Sequence, residues 1–221
     1  MCNFGVREAG ISFAFQEIKQ SKGMNDVTIK ATQVPPGTIL FVSDYSDTRD
    51  DKAVSRILST LEKRGVIIRI GRGVYLKPEM SRFGVVYPSV TKIAEAIARR
   101  DNVQILPCGA TAENILGLST QVPMTHTFLT SGSAREINVN GRTLKFKRGV
   151  PKNFAFENKM MALLAQALKS IGKDNIGEEE MSVIRKLIHD EPDKASLRKD
   201  IKLIPGWMKK IILNILNTED Q

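Results

Sequence analysis

The sequence predicts an α+β fold, and three observations support this. A helical pattern over residues 47–64 is followed at once by two short β-rich runs over 66–76. Asn140-Gly141 separates two further β-rich runs and is a strong hairpin signal. From about residue 155 onward, apolar residues recur at helical spacing. We therefore expect an N-terminal helix-and-hairpin domain, and then a mixed domain in which a small antiparallel sheet is flanked by helices.

Length and charge add two expectations. A chain of 221 residues suggests two domains, which we place at 1–80, with an N-terminal arm at 1–23, and at 81–221. The net charge of +9 favours a polyanionic partner. The regional sums are +3 for residues 1–80 (12 Lys+Arg, 9 acids), +6 for 81–152 (10 and 4) and 0 for 153–221 (11 and 11), so the excess lies in the first two thirds.

Cysteine usage and hydropathy indicate the compartment. Cys2 and Cys108 are far apart in sequence and lack CxxC spacing, which argues against a disulfide framework and a Cys-ligated zinc site. The first 22 residues do not read as a signal peptide, and no apolar run approaches the ~20 residues that span a bilayer. We expect a reduced, soluble, cytoplasmic protein with no membrane partner.

The first domain is predicted as alternating short elements. A helix begins at Asn25 or Asp26 and ends before Pro35, and a strand follows over 38–42. A small helix over 43–45 precedes the helix of 47–64. For that longer helix we predict Asp47 or Thr48 as the cap, two acids in the first turn (Asp50 and Asp51) and Gly65 at the C′ position.

The helix over 47–64 has two opposite faces. Its apolar stripe consists of Val54, Ile57, Leu58 and Leu61. The acids lie nearer the apolar stripe, and the outward face is cationic. The residues of the outward face are Arg49, Lys52, Arg56, Ser59 and Lys63. A solvated basic face without any partner is the simpler alternative, because charge runs are common.

The β-rich runs favour a partner for this face. Val66–Ile70 and Val74–Leu76 read as two strands joined by a tight turn that carries Arg72. A helix followed by such a wing is the second half of a winged helix-turn-helix, in which the helix enters the DNA major groove and the wing contacts the backbone. The predicted DNA-binding residues are Arg49, Lys52, Ser55, Arg56, Ser59, Lys63, Arg69 and Arg72. For Tyr75 we weigh a phosphate contact against a half-buried strand position.

The second domain begins after an irregular connector, which we predict over 79–88. Helices are predicted over 89–100, 111–116, 155–170, 178–190, 194–203 and 205–216, and strands over 103–106, 125–129, 135–139 and 142–148. The last helix has a broad apolar face. Packing on the core is its default use, and a partner groove or a homodimer contact is the alternative.

Cations are concentrated in the hairpin over 135–152, where one acid accompanies six of them. Alternation along the return strand points Leu144 and Phe146 one way and Lys145 and Lys147 the other. Edge-strand protection against aggregation and a second surface for a polyanion or an acidic partner are equally compatible with this pattern. The candidate residues are Arg135, Arg142, Lys145, Lys147 and Arg148.

Enzymatic chemistry has little support in the sequence. His126 and His189 fall in different elements without metal-ligand spacing, and the common nucleotide, hydrolase and zinc motifs are missing. Glu157 and Lys159 have nuclease-like spacing, but they fall at a predicted helix start with few companion carboxylates. We expect no catalytic residue, no metal and no cofactor. A DNA-processing enzyme and a pure protein-interaction module are the alternatives to a DNA-binding regulator.

Four stretches resemble one known family. They read SRILSTLEKRGVIIRIGRGVYLKP at 55–78, ILPCGATAENILGLSTQVPMTHTFLTSG at 105–132, INVNGRTLKFKRGVP at 137–151 and PGWMKKII at 205–212. Over roughly residues 24–217 the chain resembles the AbiEi-type antitoxins, the winged-helix regulators of abortive-infection toxin–antitoxin pairs. The first stretch is generic to winged helices, and the second and third are more specific.

The resemblance implies a function for each domain. It implies that the N-terminal domain binds double-stranded operator DNA and represses its own operon. It also implies that the C-terminal domain counters a nucleotidyltransferase-like toxin. The segment 1–23 departs from the usual short start of such proteins.

Overall fold

The computed structural model describes residues 26–47 and 49–219. The predicted arm at 1–23 and the candidate cap Thr48 lie outside these ranges. The chain divides into two compact units between Ala96 and Ile97. The sequence places the boundary earlier, between residues 80 and 81.

The predicted α+β class is confirmed. The described residues form eight α-helices: α1 (Asp26–Gln33), α2 (Asp51–Lys63), α3 (Val90–Arg100), α4 (Ala110–Ile115), α5 (Lys159–Ile171), α6 (Glu178–Asp190), α7 (Lys194–Asp200) and α8 (Gly206–Glu219). They form nine strands: β1 (Ile39–Phe41), β2 (Ile68–Gly71), β3 (Val74–Leu76), β4 (Glu79–Ser81), β5 (Gly84–Val86), β6 (Ile105–Pro107), β7 (Thr125–Thr130), β8 (Arg135–Val139) and β9 (Arg142–Arg148). None of the described helices is long and apolar enough to cross a bilayer.

The first unit packs α1 and α2 against a small antiparallel sheet of order β1-β3-β2. A single 3-10 turn, Val42–Tyr45, connects β1 to the loop before α2. The apolar stripe of α2 is buried, since Val54, Leu58 and Leu61 are at most 2% exposed. The other buried members of this core are Val27, Ala31, Leu40, Tyr45, Val66, Ile67 and Tyr75.

The start of α2 differs from the prediction. The helix begins at Asp51, and Asp50 occupies the N-cap position with the extended ψ of 137°. Asp47 is therefore not the cap, and Asp50 precedes the first turn. The Ser46 hydroxyl donates to the Asp51 carboxylate at 2.7 Å, so the loop is joined to the helix start through a side chain. The helix therefore begins later than a cap at Asp47 predicts.

The segment after the first sheet also differs from the prediction. In place of an irregular connector, β4 and β5 form an antiparallel hairpin in which Met80 lies opposite Val85. Gly84 has a φ of +110°, a conformation that glycine adopts without strain, and it begins the return strand. Gly84 and Pro88 are typical of a loop, which is why the sequence predicts a connector here and not two strands.

The sheet of the second unit is mixed, which corrects the predicted antiparallel sheet. Its order is β6-β7-β9-β8, and β7 pairs with β9 in parallel. The Asn-Gly turn makes β8 and β9 antiparallel, as predicted, with positive φ at both Asn140 and Gly141. The hairpin then returns β9 beside β7, where the rings of Phe128 and Phe146 stack with centroids 5.7 Å apart. Both rings are buried, so this contact contributes to the core beneath the sheet.

The C-terminal helices enclose a second apolar core formed by α5, α6, α7 and α8. A buried polar contact holds the start of α5. Asp200 is 2% exposed, and its carboxylate accepts the backbone N–H groups of Glu157 and Asn158 at 3.2 and 2.8 Å. The Asn158 side chain caps α5 by accepting from the Met161 N–H at 2.8 Å.

We predict that Asp200→Ala lowers the free energy of unfolding by about 1–3 kcal/mol, because the buried Asn158 N–H and the partly buried Glu157 N–H lose their acceptor. Urea denaturation monitored by circular dichroism measures the change. The exposed Asp190→Ala is the matched control and should change stability by less than about 0.5 kcal/mol. Equal losses in the two variants would contradict a specific role for Asp200.

Candidate nucleic-acid interface

One stripe of α2 points away from the core and carries polar and cationic side chains. Lys52, Arg56, Ser59 and Lys63 follow the spacing i, i+4, i+7 and i+11. On a helix these positions lie within about 60° of one another and extend over about 16 Å. Lys52, Arg56 and Lys63 are exposed, and Ser59 is half-buried. We call these four residues the α2 row.

The three cations of the α2 row are available to a partner. Within residues 26–47 and 49–219, none of Lys52, Arg56 and Lys63 forms an ion pair with a carboxylate. Ser55, also predicted to contact DNA, is half-buried and lies about 40° beyond the edge of the row at Ser59. The row is therefore a cationic stripe as long as three turns of helix.

Arg49 does not belong to the α2 row. The sequence pattern places it on the outward helix face, but α2 begins two residues later, so this placement is wrong. Arg49 lies in the preceding loop, where its backbone N–H donates to the Tyr45 carbonyl at 3.3 Å. Arg49 is exposed and precedes the N-terminal end of the row in the chain.

The hairpin β2–β3 presents the other two predicted cations. Residues 66–76 fold back on themselves as predicted, with Arg69 opposite Tyr75 and Gly71 opposite Val74. Arg72 is exposed at the tip, next to Gly73, whose φ of +70° closes the turn. The Nε group of exposed Arg69 donates to the Gly71 carbonyl at 3.4 Å, which directs its guanidinium along the hairpin.

Tyr75 is a core residue and not a surface contact. It is 4% exposed and lies in β3 between β1 and β2. Burial raises the pKa of Tyr75, while Arg69 opposes this and Glu62 adds to it. Of the two alternatives for Tyr75, a phosphate contact and a strand position turned toward the core, the structure has the second.

The 3-10 turn before α2, predicted as a small helix over 43–45, spans Val42–Tyr45 and positions the start of α2. The Asp44 carboxylate accepts the Phe41 N–H at 2.8 Å, which fixes the turn on β1. Tyr45 is buried in the same core as Val54 and Leu58. Burial, with a smaller contribution from Asp44, raises the pKa of Tyr45 to about 12. A single Tyr after an Asp forms no recognisable sequence pattern, so the burial of Tyr45 in this core could not be predicted from the sequence.

The second set of predicted cations does not form one surface. Alternation along β9 places Arg142 and Arg148 on the side of buried Leu144, and Lys145 and Lys147 on the other side. Arg135 lies directly opposite Phe146 and therefore on the first side. Two of the five are neutralised, since Arg135 pairs with Asp101 and Lys145 pairs with Glu136.

The polar residues weighed for catalysis are separated in the fold. Glu157 pairs with Lys199 at 3.3 Å, and Lys159 lies in the first turn of α5. His126 is buried in β7, where burial and then Arg142 lower its pKa, and exposed His189 lies in the last turn of α6. Within the described part of the chain no three His, Cys, Asp or Glu residues are grouped to hold a metal ion.

Fold and site together define an α+β protein with a cationic row on one helix and a basic hairpin beside it. Residues 26–196 match the model of a family of unknown function (DUF6088), and the chain belongs to this family. No curated protein and no solved structure matches the chain significantly.

We predict a pH dependence from Tyr45. Its pKa is raised from about 10 in the unfolded chain, so its stabilising contribution is complete below pH 10 and is lost as the pH rises toward 12. The free energy of unfolding should fall by about 2 kcal/mol more in the wild type than in Tyr45→Phe over that interval. Denaturation curves at several pH values measure the difference, and parallel losses in both proteins would contradict a buried, neutral Tyr45.

Proposed function

We propose that this chain is a sequence-specific DNA-binding transcriptional regulator, and that its N-terminal unit is a winged helix-turn-helix. The main support for this proposal is the α2 row, because it combines exposure, positive charge and helical spacing on a rigidly packed helix. An α-helix fits the major groove of B-DNA, which is about 12 Å wide. A helix face of this kind that served solubility alone would more often pair its cations with acids one turn away.

The order of elements supports the winged-helix assignment. A helix, a strand, a short helical turn, a long helix and a two-stranded hairpin follow each other in α1, β1, Val42–Tyr45, α2 and β2–β3. In a helix-turn-helix the second helix enters the major groove. Here that helix is α2, and the first helix is reduced to one 3-10 turn.

Each cation receives a role from its position. We assign Lys52, Arg56 and Ser59 to base edges, because they lie on the N-terminal two thirds of the α2 row. Four further cations are assigned to phosphates because they lie at or beyond the ends of the row or on the wing, namely Arg49, Lys63, Arg69 and Arg72. Four phosphate contacts give a slope of log K against log salt of about −4. The long side chain and forked guanidinium of Arg56 suit a bidentate contact with guanine.

The antitoxin role rests on the family resemblance and not on the geometry. We propose that the chain represses its own operon in the cytoplasm and counters a cognate nucleotidyltransferase-like toxin through its C-terminal unit. Co-expression with the product of the adjacent gene tests this half separately. Relief of toxicity, with co-purification of the two chains, is the expected result, and unrelieved toxicity would contradict it.

A gel shift on the upstream region of the chain's own gene tests DNA binding directly. Competition with random duplex should leave a retarded complex at moderate salt, because specific binding exceeds non-specific binding by at least about 10³-fold. A pure protein-interaction module would leave the promoter unshifted. A DNA-processing enzyme would instead nick or cut the duplex in the presence of a divalent metal.

We predict that Arg56→Ala weakens operator binding by about 1–3 kcal/mol and relaxes the preference for one base pair. Fluorescence anisotropy with a panel of single-base operator variants measures both effects. Arg64→Ala removes the same charge from a position about 80° beyond Arg56 around the helix, so it is the matched control. The control should keep the full base preference. Wild-type affinity and preference in Arg56→Ala would show that the groove assignment is wrong.

Arg72→Ala should behave differently from Arg56→Ala, because a hairpin tip that contacts phosphate carries no sequence information. We expect affinity to fall by a similar factor on all duplexes and the salt slope to decrease by about one unit. Titrations at several salt concentrations measure the slope. An unchanged slope would mean that Arg72 does not contact the backbone.

A further inference from the structure

A groove of about 670 Å³ lies between α6 and α8 in the second unit. Both helices belong to the C-terminal apolar core, so the groove has a packed base. Its lining residues recur at helical spacing, and each set lies on one face of its helix. They are Met181, Arg185, Lys186 and His189 of α6, and Ile211, Asn214, Ile215 and Thr218 of α8.

The floor of this groove is apolar. Met181 and Ile211 are partly buried against the C-terminal core, and Ile215 is buried within it. The Thr218 hydroxyl donates to the Asn214 carbonyl at 2.8 Å, so it is satisfied within its own helix. An apolar side chain that enters the groove therefore leaves water and contacts mainly apolar atoms, which is favourable.

The rim of the groove is basic. Arg185, Lys186 and His189 are exposed, and no acid lines the groove within the part of the chain that the structure describes. Lys186 pairs with no described carboxylate. Arg185 has one contact of 3.9 Å with Glu178, and both side chains are exposed. An exposed pair of this kind contributes little stability, so an incoming carboxylate can replace it.

Charge distinguishes between the possible occupants of the groove. A second copy of the same face brings an identical basic rim against this one, and like charges repel. Residues 1–25 of the chain hold three cations and two acids, so this segment does not complement the rim. A nucleic-acid backbone complements the rim but offers no apolar side chain to the floor. The occupant that satisfies both is an acidic, amphipathic segment of another protein.

The dimensions of the groove indicate that this segment is helical. Met181, Arg185 and His189 lie within about 80° of one another on α6 and extend over about 12 Å. The lining of α8 from Ile211 to Thr218 extends over about 10 Å. Two neighbouring helices with stripes of this kind form an open site for a third helix. Such a helix inserts apolar side chains spaced i, i+4 and i+7.

We propose that the groove between α6 and α8 binds an acidic amphipathic helix of a partner protein. Apolar side chains of this helix pack on Met181 and Ile211, and its carboxylates pair with Arg185 and Lys186. About two turns of the helix make contact, so we expect a dissociation constant on the order of micromolar. Docking does not require DNA binding. That the helix belongs to the cognate toxin is a consequence that rests on the proposed function.

Fluorescence anisotropy with a designed, labelled peptide and the full chain tests the groove. The peptide carries leucine at the i, i+4 and i+7 positions of its apolar face and glutamate on both flanks. A second peptide replaces every glutamate with lysine. We expect the glutamate peptide to bind with a dissociation constant on the order of micromolar, and the lysine peptide to bind at least about tenfold more weakly.

Two exposed lining positions allow the groove to be altered without removing a core contact. Lys186→Glu should weaken the glutamate peptide at least about tenfold and strengthen the lysine peptide, because it reverses the charge of the rim. Asn214→Glu places a carboxylate on the α8 side and should also weaken the glutamate peptide. Lys202→Glu makes the same charge change at an exposed residue outside the groove and is the matched control. It should bind both peptides like the wild type.

Four results would overturn this assignment. They are no binding of the glutamate peptide, equal binding of the two peptides, undiminished binding in both Lys186→Glu and Asn214→Glu, and an equal loss in Lys202→Glu and Lys186→Glu. Self-association that competes with the peptide and is lost in Lys186→Glu would assign the groove to a second copy instead.

Co-expression with the product of the adjacent gene separates this proposal from the proposed function. If the toxin carries the helix, Lys186→Glu should fail to relieve toxicity and should still shift operator DNA like the wild type. A wild-type chain that binds the glutamate peptide but relieves no toxicity would leave the groove assignment standing and remove the antitoxin role.

Discussion

Burial of the apolar stripe of α2 is the constraint on which the first unit depends. Val54, Leu58 and Leu61 are almost fully buried, and each contributes roughly 1.5–3 kcal/mol by leaving water. Repulsion between neighbouring cations on a helix face costs only about 0.2–0.5 kcal/mol per pair. Apolar burial is therefore large enough to fix the rotation of the helix and to hold three cations together on the outside. The charge pattern of the α2 row is a consequence of the core behind it.

The turn before α2 extends the same constraint. Tyr45 contributes its ring to the core of α2, and the neighbouring Asp44 ties the turn to β1. The helix thus has a fixed start as well as a fixed rotation. A site that must match a groove to within a fraction of an ångström needs both, because side chains on a rigid element keep their relative positions. The second unit follows a similar logic, with buried Asp200 fixing the start of α5.

Most of the correct predictions come from the periodic spacing of apolar residues. The buried stripe of α2, the bounds of β8, β9 and α6, and the Asn-Gly turn all follow from local patterns with a period of 3.6 or 2 or from a turn preference. The misplaced features depend on contacts between distant residues. The parallel β7–β9 pairing brings Phe128 opposite Phe146, and the charge of Arg135 is neutralised by Asp101, which lies in a different element. The hairpin at 79–86 is not predicted because its strands are only three residues long and because Gly84 and Pro88 indicate a loop.

The central claim is that the α2 row enters the groove of a duplex, and nuclear magnetic resonance tests it most directly. Isotope-labelled protein is titrated with a duplex from the upstream region of its own gene, and the backbone amide shifts are followed. We predict that the amides of residues 49–63 and of the 71–73 turn shift first and most. Shifts confined to the second unit or to the hairpin at 79–86, with residues 49–63 unperturbed at saturation, would contradict it.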